Sequence, residues 1–225
     1  MALIINHLSK SFGEHIVLKD FNADIPTGQV TLLTAPSGKG KTTLLRILMG
    51  LETADSGEFS DFSGLKQSAV FQEDRLCENL SALSNIKLAS PQLQNQIIEE
   101  ALSNVGLKEY AHCPISEFSG GMKRRVAILR ALLADYDILF LDEPFKGLDA
   151  ETKALVMSDV KQRSQGKTVI LVTHDPVSYT HLYLKTFCLF FHIHCQCKTV
   201  NSFRKARIII NMSCNTHLTS RHIFF

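Results

Sequence analysis

Short, continuous apolar runs recur along the chain, and polar or glycine-containing segments separate them. Three of these runs, residues 30–34, 138–141 and 169–172, are rich in Val, Leu and Ile. A short run without polar alternation is typical of a strand that is buried on both faces of a parallel sheet. The pattern therefore predicts an α/β fold with these strands in one sheet.

Helical spacing appears between the apolar runs. It is found at residues 44–49, directly after the first run, at residues 95–105, and at residues 150–165, which lead into the last run. Residues 1–34 instead indicate short strands and turns. The chain's 225 residues are enough for one α/β domain, or for one domain that carries an insertion.

Charge and hydropathy narrow the classes of function. The net charge of +2 gives no basis for a nucleic-acid surface, so we expect no nucleic-acid partner. We interpret the short basic cluster Lys123-Arg124-Arg125 as a solvated helix face near phosphates. No run approaches the 18 apolar residues of a membrane helix, and the start of the chain lacks the pattern of a signal peptide. We therefore expect a soluble protein unless a partner recruits it.

A glycine-rich segment lies between the first apolar run and the helix that follows it: Ala35-Pro36-Ser37-Gly38-Lys39-Gly40-Lys41-Thr42-Thr43. Strand, glycine-rich loop and helix form the context of a P-loop, whose backbone amides cradle phosphates at a helix start. Lys41 would reach the β- and γ-phosphates, and the Thr42 hydroxyl would ligate Mg²⁺. Ala35 replaces the first glycine of the usual pattern, which a negative φ permits. The alternative is a glycine-rich turn that caps an ordinary helix.

Two carboxylates follow the apolar run of residues 138–141. They are Asp142 and Glu143, and Pro144 comes next. Ligands of open α/β sheets bind beside the carboxyl ends of strands, so we expect both carboxylates beside the phosphates. Asp142 would hold Mg²⁺ through water, and Glu143 would polarise the attacking water as general base. The alternative is a pair of acids that cap the next helix.

The segment Phe118-Ser119-Gly120-Gly121-Met122 narrows the family. Residues 1–177 resemble the ATP-binding cassette ATPases, the nucleotide-binding domains of ABC transporters, and this segment resembles their signature L-S-G-G-Q. A serine and two glycines at a helix start form a second anion cradle. The resemblance implies that Ser119, Gly120 and Gly121 face a partner's nucleotide, so that two subunits sandwich two ATP molecules head to tail. An ordinary N-capped helix is the alternative.

The same resemblance implies roles for four further residues. Gln72, after the predicted strand of residues 68–71, resembles the Q-loop glutamine that contacts Mg²⁺ and the attacking water. Asp149 belongs to a segment that resembles the D-loop. His174 resembles the histidine switch that contacts the γ-phosphate, and Phe12 resembles the aromatic residue that stacks on adenine.

The resemblance implies a P-loop NTPase (RecA-like) core with an N-terminal antiparallel β part and an α-helical subdomain inserted at about residues 75–120. It implies an ATP hydrolase with ATP and Mg²⁺ as cofactors, paired as a homodimer or with another ABC subunit. It also implies a peripheral position at the cytoplasmic face of the cell membrane, against transmembrane permease subunits. Residues 72–76 and 142–149 resemble bacterial importer subunits of the nitrate, sulfonate and taurine type, which implies a substrate-binding protein as a partner.

Other classes of function remain open. An ABC ATPase of DNA repair or chromosome organisation would place a long coiled coil between the two phosphate motifs. Here Ser119 follows Thr43 by 76 positions, without sustained heptads. A module that binds ATP without hydrolysing it would not need Glu143, and an unrelated P-loop kinase would lack the Ser119 motif.

Residues 178–225 differ in composition from the rest of the chain. They contain no Asp, Glu, Gly or Pro, and they hold four of the six cysteines. We interpret them as an out-of-frame or chimeric stretch that is foreign to the domain. The alternative is a metal site formed by His192, His194, Cys195 and Cys197, although their spacing matches no standard zinc pattern.

Overall fold

The computed structural model describes residues 2–35, 38–60, 62 and 64–173, together with the backbone of residues 186–190. In chain order, the strands in these residues are β1 (Ala2–Phe12), β2 (His15–Pro26), β3 (Val30–Thr34), β4 (Ser56–Phe59), β5 (Gln67–Val70), β6 (Ile138–Asp142), β7 (Thr168–Val172) and β8 (Thr186–Phe190). They form an antiparallel sheet in the order β2-β1-β4 and a parallel sheet in the order β5-β6-β7-β3-β8.

The helices of the described residues connect and cover the strands. They are α1 (Lys41–Leu48), α2 (Ala82–Ala89), α3 (Asn95–Asn104), α4 (Gly120–Leu132) and α5 (Ala150–Arg163), with 3₁₀ turns at Lys108–Tyr110 and Ile115–Glu117. Across the described part of the chain, every helix is too short or too polar to cross a membrane.

The strands β3, β6 and β7 lie next to one another and are almost entirely buried. Successive side chains point to opposite faces of a strand, so each strand serves two cores. Leu139 and Leu141 pack on one face with residues of α2 to α5, whereas Ile138 and Phe140 pack on the other with α1 and the antiparallel sheet. This double burial is why the strands are continuous apolar runs, and it confirms the predicted α/β fold.

The antiparallel sheet differs from the prediction of short strands and turns. Strands β1 and β2 have 11 and 12 residues and pair along their whole length. The prediction was wrong because bulges break the alternation of buried and exposed positions. His7 and Asp20 lie at these irregularities, each with a positive φ of about 50°.

The predicted helical insertion at about residues 75–120 is present as α2, α3, the two 3₁₀ turns and the start of α4. The fully buried amide of Asn85 fixes the chain that enters it. Its oxygen accepts a hydrogen bond from the Cys77 amide at 2.8 Å, and its nitrogen donates to the carbonyls of Cys77, Leu80 and Ser81. A buried amide that uses both its donors and its acceptor holds such a loop in one conformation.

The interpretation of residues 178–225 as foreign to the domain stays a prediction. Within that stretch the structure describes only the backbone of β8, which pairs in parallel with β3. The residues of the alternative metal site lie outside the described residues.

Candidate functional site

A cavity of about 360 Å³ opens beside the carboxyl ends of the parallel strands. Four separate parts of the chain line it: Phe12 and Val17 of the antiparallel sheet, residues 38–43, Gln72, and the group Asp142, Glu143 and Lys146 after β6. Ten of the predicted site residues therefore surround one space. This is the position at which open α/β sheets bind ligands.

The glycine-rich loop joins β3 to α1 within this cavity. Gly38 and Gly40 have φ values of +76° and +79°, a conformation that favours glycine. A Cβ atom on Gly40 would also lie 2.8 Å from the carbonyl oxygen of Val17. Gly40 has no side chain to cap α1, so amides of the first helical turn are available to an anion. Pro36 and Ser37 lie outside the described residues, and their predicted contacts stay predictions.

Lys41 and Ala35 are in direct contact at the base of the loop. The Lys41 ammonium, on a side chain that is largely buried, donates a hydrogen bond to the Ala35 carbonyl at 2.6 Å. Ala35 does not adopt a positive φ, so alanine fits where the usual pattern has glycine. The lysine charge is thus positioned next to the loop that would hold phosphates.

Thr42 and Asp142 form an oxygen-rich pair at the floor of the cavity. The Thr42 hydroxyl donates to Asp142 Oδ2 at 2.7 Å, and Asp142 is 5% exposed. Burial raises the pKa of Asp142 above the usual value of an aspartate. The Thr42 hydrogen bond opposes this pKa shift, and the neighbouring Glu143 carboxylate adds to it. A hydroxyl and a carboxylate are ligands that fit Mg²⁺, which takes oxygen donors.

Asp142→Asn is expected to raise the Tm of the nucleotide-free protein at about pH 8 and to remove its stabilisation by Mg²⁺ with ATP. The asparagine carbonyl still accepts the Thr42 hydrogen bond, but the buried charge is gone. Because the folded-state pKa is raised, the ionised carboxylate destabilises the fold above that pKa, and this destabilisation disappears as the pH falls through it. The difference in Tm should therefore narrow towards acidic pH.

Thermal melts at two pH values, with and without Mg²⁺ and ATP, measure both effects. Asp24→Asn, at an exposed position of β2, is the matched control. It should change neither the Tm without nucleotide nor the stabilisation by Mg²⁺ with ATP. A Tm for Asp142→Asn below that of the parent at both pH values would contradict the conclusion that the ionised Asp142 carboxylate destabilises the nucleotide-free fold.

Glu143 adopts a backbone conformation that few non-glycine residues use. Its φ is +47°, and its amide donates to the Val172 carbonyl at 2.9 Å. Its Oε2 accepts a hydrogen bond from the Thr173 hydroxyl at 3.2 Å. A left-handed conformation costs about 1–2 kcal/mol and occurs where the surrounding structure enforces it. His174, the next residue after Thr173, lies outside the described residues, so its predicted role stays a prediction.

Arg124 fixes the turn that follows β6. It is 5% exposed, and its guanidinium donates to the carbonyls of Asp142 at 3.0 Å, Glu143 at 2.7 Å and Pro144 at 2.9 Å. These carbonyls belong to the last residue of β6 and to the first two residues after it. A planar fork of donors satisfies several such groups at once, which a lysine cannot do.

The same guanidinium also reaches the segment that contains Gln72. It donates to the Phe71 carbonyl at 2.6 Å and forms an ion pair with Asp74 at 3.0 Å. The interpretation of Lys123-Arg124-Arg125 as a solvated helix face is therefore wrong for the two arginines. The reason is that backbone carbonyls bury Arg124, while Arg125 donates to the Val105 carbonyl at 2.7 Å. Helical spacing in the sequence carries no signal of such distant carbonyl partners.

Lys146 lines the cavity as well, and no sequence motif singled it out. It is exposed and lies between two predicted motifs, next to Gly147. That location is the only signal that the sequence offered for it.

The segment that resembles the family signature does not reach the cavity. Ser119 is the N-cap of α4, where its side chain accepts a hydrogen bond from the Met122 amide at 3.3 Å. Ser119 and Gly120 are exposed, and Gly121 is half-buried. Within one chain, these residues form a second and separate helix start.

Asp149 is also exposed and apart from the cavity. It is the N-cap of α5, and its Oδ1 accepts a hydrogen bond from the Thr152 amide at 2.9 Å. That hydrogen bond holds the pKa of Asp149 below its usual value. The nucleotide contact that the sequence resemblance implies for Asp149 stays a prediction.

A glycine-rich loop between β3 and α1, with the Thr42–Asp142 pair at the strand ends, defines a P-loop nucleoside triphosphatase. The sequence model of the family described as ABC transporter matches residues 18–146, and the chain belongs to this family, whose ATP-binding subunits hydrolyse ATP. The predictions of the family, the fold class and the ATPase function are confirmed.

Named relatives are consistent with this family. The aliphatic sulfonates import ATP-binding protein SsuB 1 of Paracoccus denitrificans is 40% identical over 179 residues, which are 77% of this chain and 73% of that protein. The sulfate/thiosulfate import ATP-binding protein CysA of Synechocystis is 35% identical, and the match covers 78% of this chain and 54% of that protein. The dimeric structure of MJ0796, a bacterial ABC transporter cassette, superposes with a TM-score of 0.72 at 28% identity over 84% of this chain and 94% of that one.

Proposed function

We propose that this protein binds Mg²⁺ with ATP in the described cavity and hydrolyses the nucleotide to power an ABC importer. The observation that carries the proposal is the Thr42–Asp142 hydrogen bond of 2.7 Å, at the floor of a cavity that Lys41 and Glu143 also line. Import is favoured as the direction because the SsuB and CysA relatives are both import ATP-binding proteins.

The phosphate half of the chemistry would use the start of α1. The Lys41 ammonium would leave the Ala35 carbonyl to contact the β- and γ-phosphates, and the first-turn amides would bind their oxygens. Thr42 and Asp142 would hold Mg²⁺, which neutralises the charge that develops on the phosphates. Phe12, at the rim of the same cavity, would stack on the adenine.

The water half of the chemistry would use Glu143 and Gln72. Both residues line the cavity, as a group that orients a water and a group that accepts its proton must do. The Thr173 hydroxyl donates a hydrogen bond to Glu143 Oε2 at 3.2 Å, which helps to orient the carboxylate. Arg124 fixes the backbone from which Glu143 projects.

The second phosphate surface would serve a second copy of the chain or a paired ABC subunit. Ser119, Gly120 and Asp149 are exposed and do not line the cavity of their own chain. In a head-to-tail dimer, these residues would contact the nucleotide that is bound to the partner chain. The dimeric MJ0796 cassette supports an assembly of two such chains.

The membrane partners would dock on the helical subdomain. Leu88 on α2 and Ile97 on α3 are large apolar side chains that are 58% and 42% exposed. We propose transmembrane permease subunits at the cytoplasmic face of the membrane, together with a substrate-binding protein, as the remaining parts of the importer.

Mixing two inactive variants should restore ATP hydrolysis if two chains share each site. Lys41→Ala removes the phosphate-binding charge, and Ser119→Arg blocks the surface that would face the partner's nucleotide. A mixed dimer contains one site with both defects and one site with neither, so the mixture should exceed either variant alone by about tenfold or more. Steady-state phosphate release at fixed total protein measures this.

The control mixes Lys41→Ala with the double variant Lys41→Ala/Ser119→Arg, a pair that contains no intact site. It should stay at the background rate. If Ser119→Arg alone hydrolyses ATP as a monomer at the parent rate, the shared-site proposal is wrong.

A further inference from the structure

Lys10 is a buried lysine that lies outside the phosphate loop. It is on β1, two residues before Phe12, and is 7% exposed. Its ammonium lies 3.1 Å from Glu52 Oε1 and 3.3 Å from Asp55 Oδ1. The hydrogen bond to Glu52 holds the pKa of Lys10 above its usual value, so the side chain stays charged. A charge that is buried and doubly paired is held in one place.

The Lys10 ammonium also contacts the Phe12 ring. The nitrogen lies 5.0 Å from the ring centroid, within the range of a cation–π interaction. Phe12 itself is 50% exposed and lines the nucleotide cavity. The ring therefore has a fixed cation on one side while half of its surface remains accessible.

Both acidic partners of Lys10 lie in the segment between α1 and β4, and one of them, Asp55, is itself hydrogen-bonded to β1. Asp55 Oδ2 accepts a hydrogen bond from the Ser11 amide at 2.6 Å. The Asp55 amide in turn donates to the Ser9 carbonyl at 2.9 Å. These contacts hold Lys10 on both sides in sequence, at Ser9 and at Ser11. The segment that follows α1 is thus hydrogen-bonded to β1, the strand that ends at Phe12.

We propose that Lys10 is a positioning residue for the nucleobase, because its ammonium, anchored by Glu52 and Asp55, holds the Phe12 ring in the orientation on which a base stacks. The inference rests on the proposed ATP site. A phenylalanine at the exposed end of a strand otherwise loses rotamer freedom when its ligand binds, and pre-organisation removes that cost. The gain applies to a ligand with a base and not to a bare polyphosphate.

The test compares ATP with inorganic triphosphate, which has the phosphates but no base. Lys10→Met keeps the length and the apolar packing of the side chain and removes the charge. It should weaken the binding of ATP by about threefold to tenfold and leave the binding of triphosphate unchanged. Titration calorimetry of both ligands in the presence of Mg²⁺ measures the two dissociation constants.

Three further variants sharpen the test. Lys19→Met, at an exposed position of β2 in the same sheet, is the matched control and should change neither constant. Lys10→Arg keeps the cation and should retain the preference for ATP. In a Phe12→Ala background, Lys10→Met should have no additional effect, since the ring that it positions is absent.

The outcomes separate the inference from the proposed function. If the parent protein binds ATP no more tightly than triphosphate, the stacking of adenine on Phe12 fails as part of the proposed function. If the parent prefers ATP and Lys10→Met keeps the same preference, or weakens both ligands equally, the positioning role is overturned.

If the Lys10→Met protein does not fold, Glu52→Met decides, because it removes one acceptor of the Lys10 ammonium and keeps the lysine. It should lower the preference for ATP over triphosphate about twofold or more. An unchanged preference in Glu52→Met would overturn the inference in the same way.

Discussion

Glu143→Gln is expected to lower the steady-state rate of ATP hydrolysis at least ~100-fold while ATP binding persists, as the loss of a positioned general base implies. Glutamine has nearly the same size and still accepts the Thr173 hydrogen bond, but it does not take a proton from water. Neither Lys41 nor the Thr42–Asp142 pair changes. ATP should therefore bind and stay bound, and the dimer should accumulate.

Phosphate release and size-exclusion chromatography with ATP measure the two halves of this prediction. Glu100→Gln, at an exposed position of α3, is the control and should behave as the parent does. A rate for Glu143→Gln near that of an active parent would remove Glu143 from the role of general base. Slow hydrolysis together with lost ATP binding would place the residue in binding instead.

The central parallel strands and the helices α1, α3 and α5 were predictable from the sequence because their signals are local. The first apolar run coincides with β3, and the predicted helix at residues 95–105 is α3, Asn95–Asn104. Burial on both faces makes the central strands continuous apolar runs, and one-sided burial gives the helices their spacing. The P-loop was recognisable for the same reason, since strand, loop and helix are contiguous.

Other features depend on partners that are distant in the sequence, and periodicity did not reveal them. Arg124 is buried by carbonyls 18 to 20 residues further along the chain, and by the Phe71 carbonyl and the Asp74 carboxylate, 53 and 50 residues before it. Lys10 depends in the same way on Glu52 and Asp55, more than 40 positions away in sequence. For such residues, only the three-dimensional structure shows whether the cation is buried or exposed to solvent.

The roles predicted for Ser119, Gly120 and Asp149 form a third case. In one chain, Ser119 caps α4, Gly120 is the first residue of α4, and Asp149 caps α5. For Ser119 and Gly120 this is also what the alternative of an ordinary capped helix predicts. Their proposed role is a property of two chains together. The mixing of Lys41→Ala with Ser119→Arg addresses it for that reason.

Arg124→Met is expected to destabilise the protein by about 3–5 kcal/mol, the range for removing one partner from a buried ion pair. The change leaves Asp74 without its cation and removes the donor from the carbonyls after β6. Because Arg124 does not line the cavity, ATP affinity should change little in the folded fraction. The kcat should fall by about tenfold or more, since the Glu143 carbonyl loses the hydrogen bond from Arg124.

Chemical denaturation measures the free energy of unfolding, and initial rates at several ATP concentrations separate kcat from KM. Lys123→Met is the matched control on the same helix, because it breaks only the exposed pair with Glu78 and should cost at most about 1 kcal/mol. Arg124→Lys keeps the charge without the fork, so its stability and kcat should lie between those of the parent and Arg124→Met. A stable Arg124→Met protein with an unchanged kcat would show that the turn after β6 holds Glu143 without help from α4.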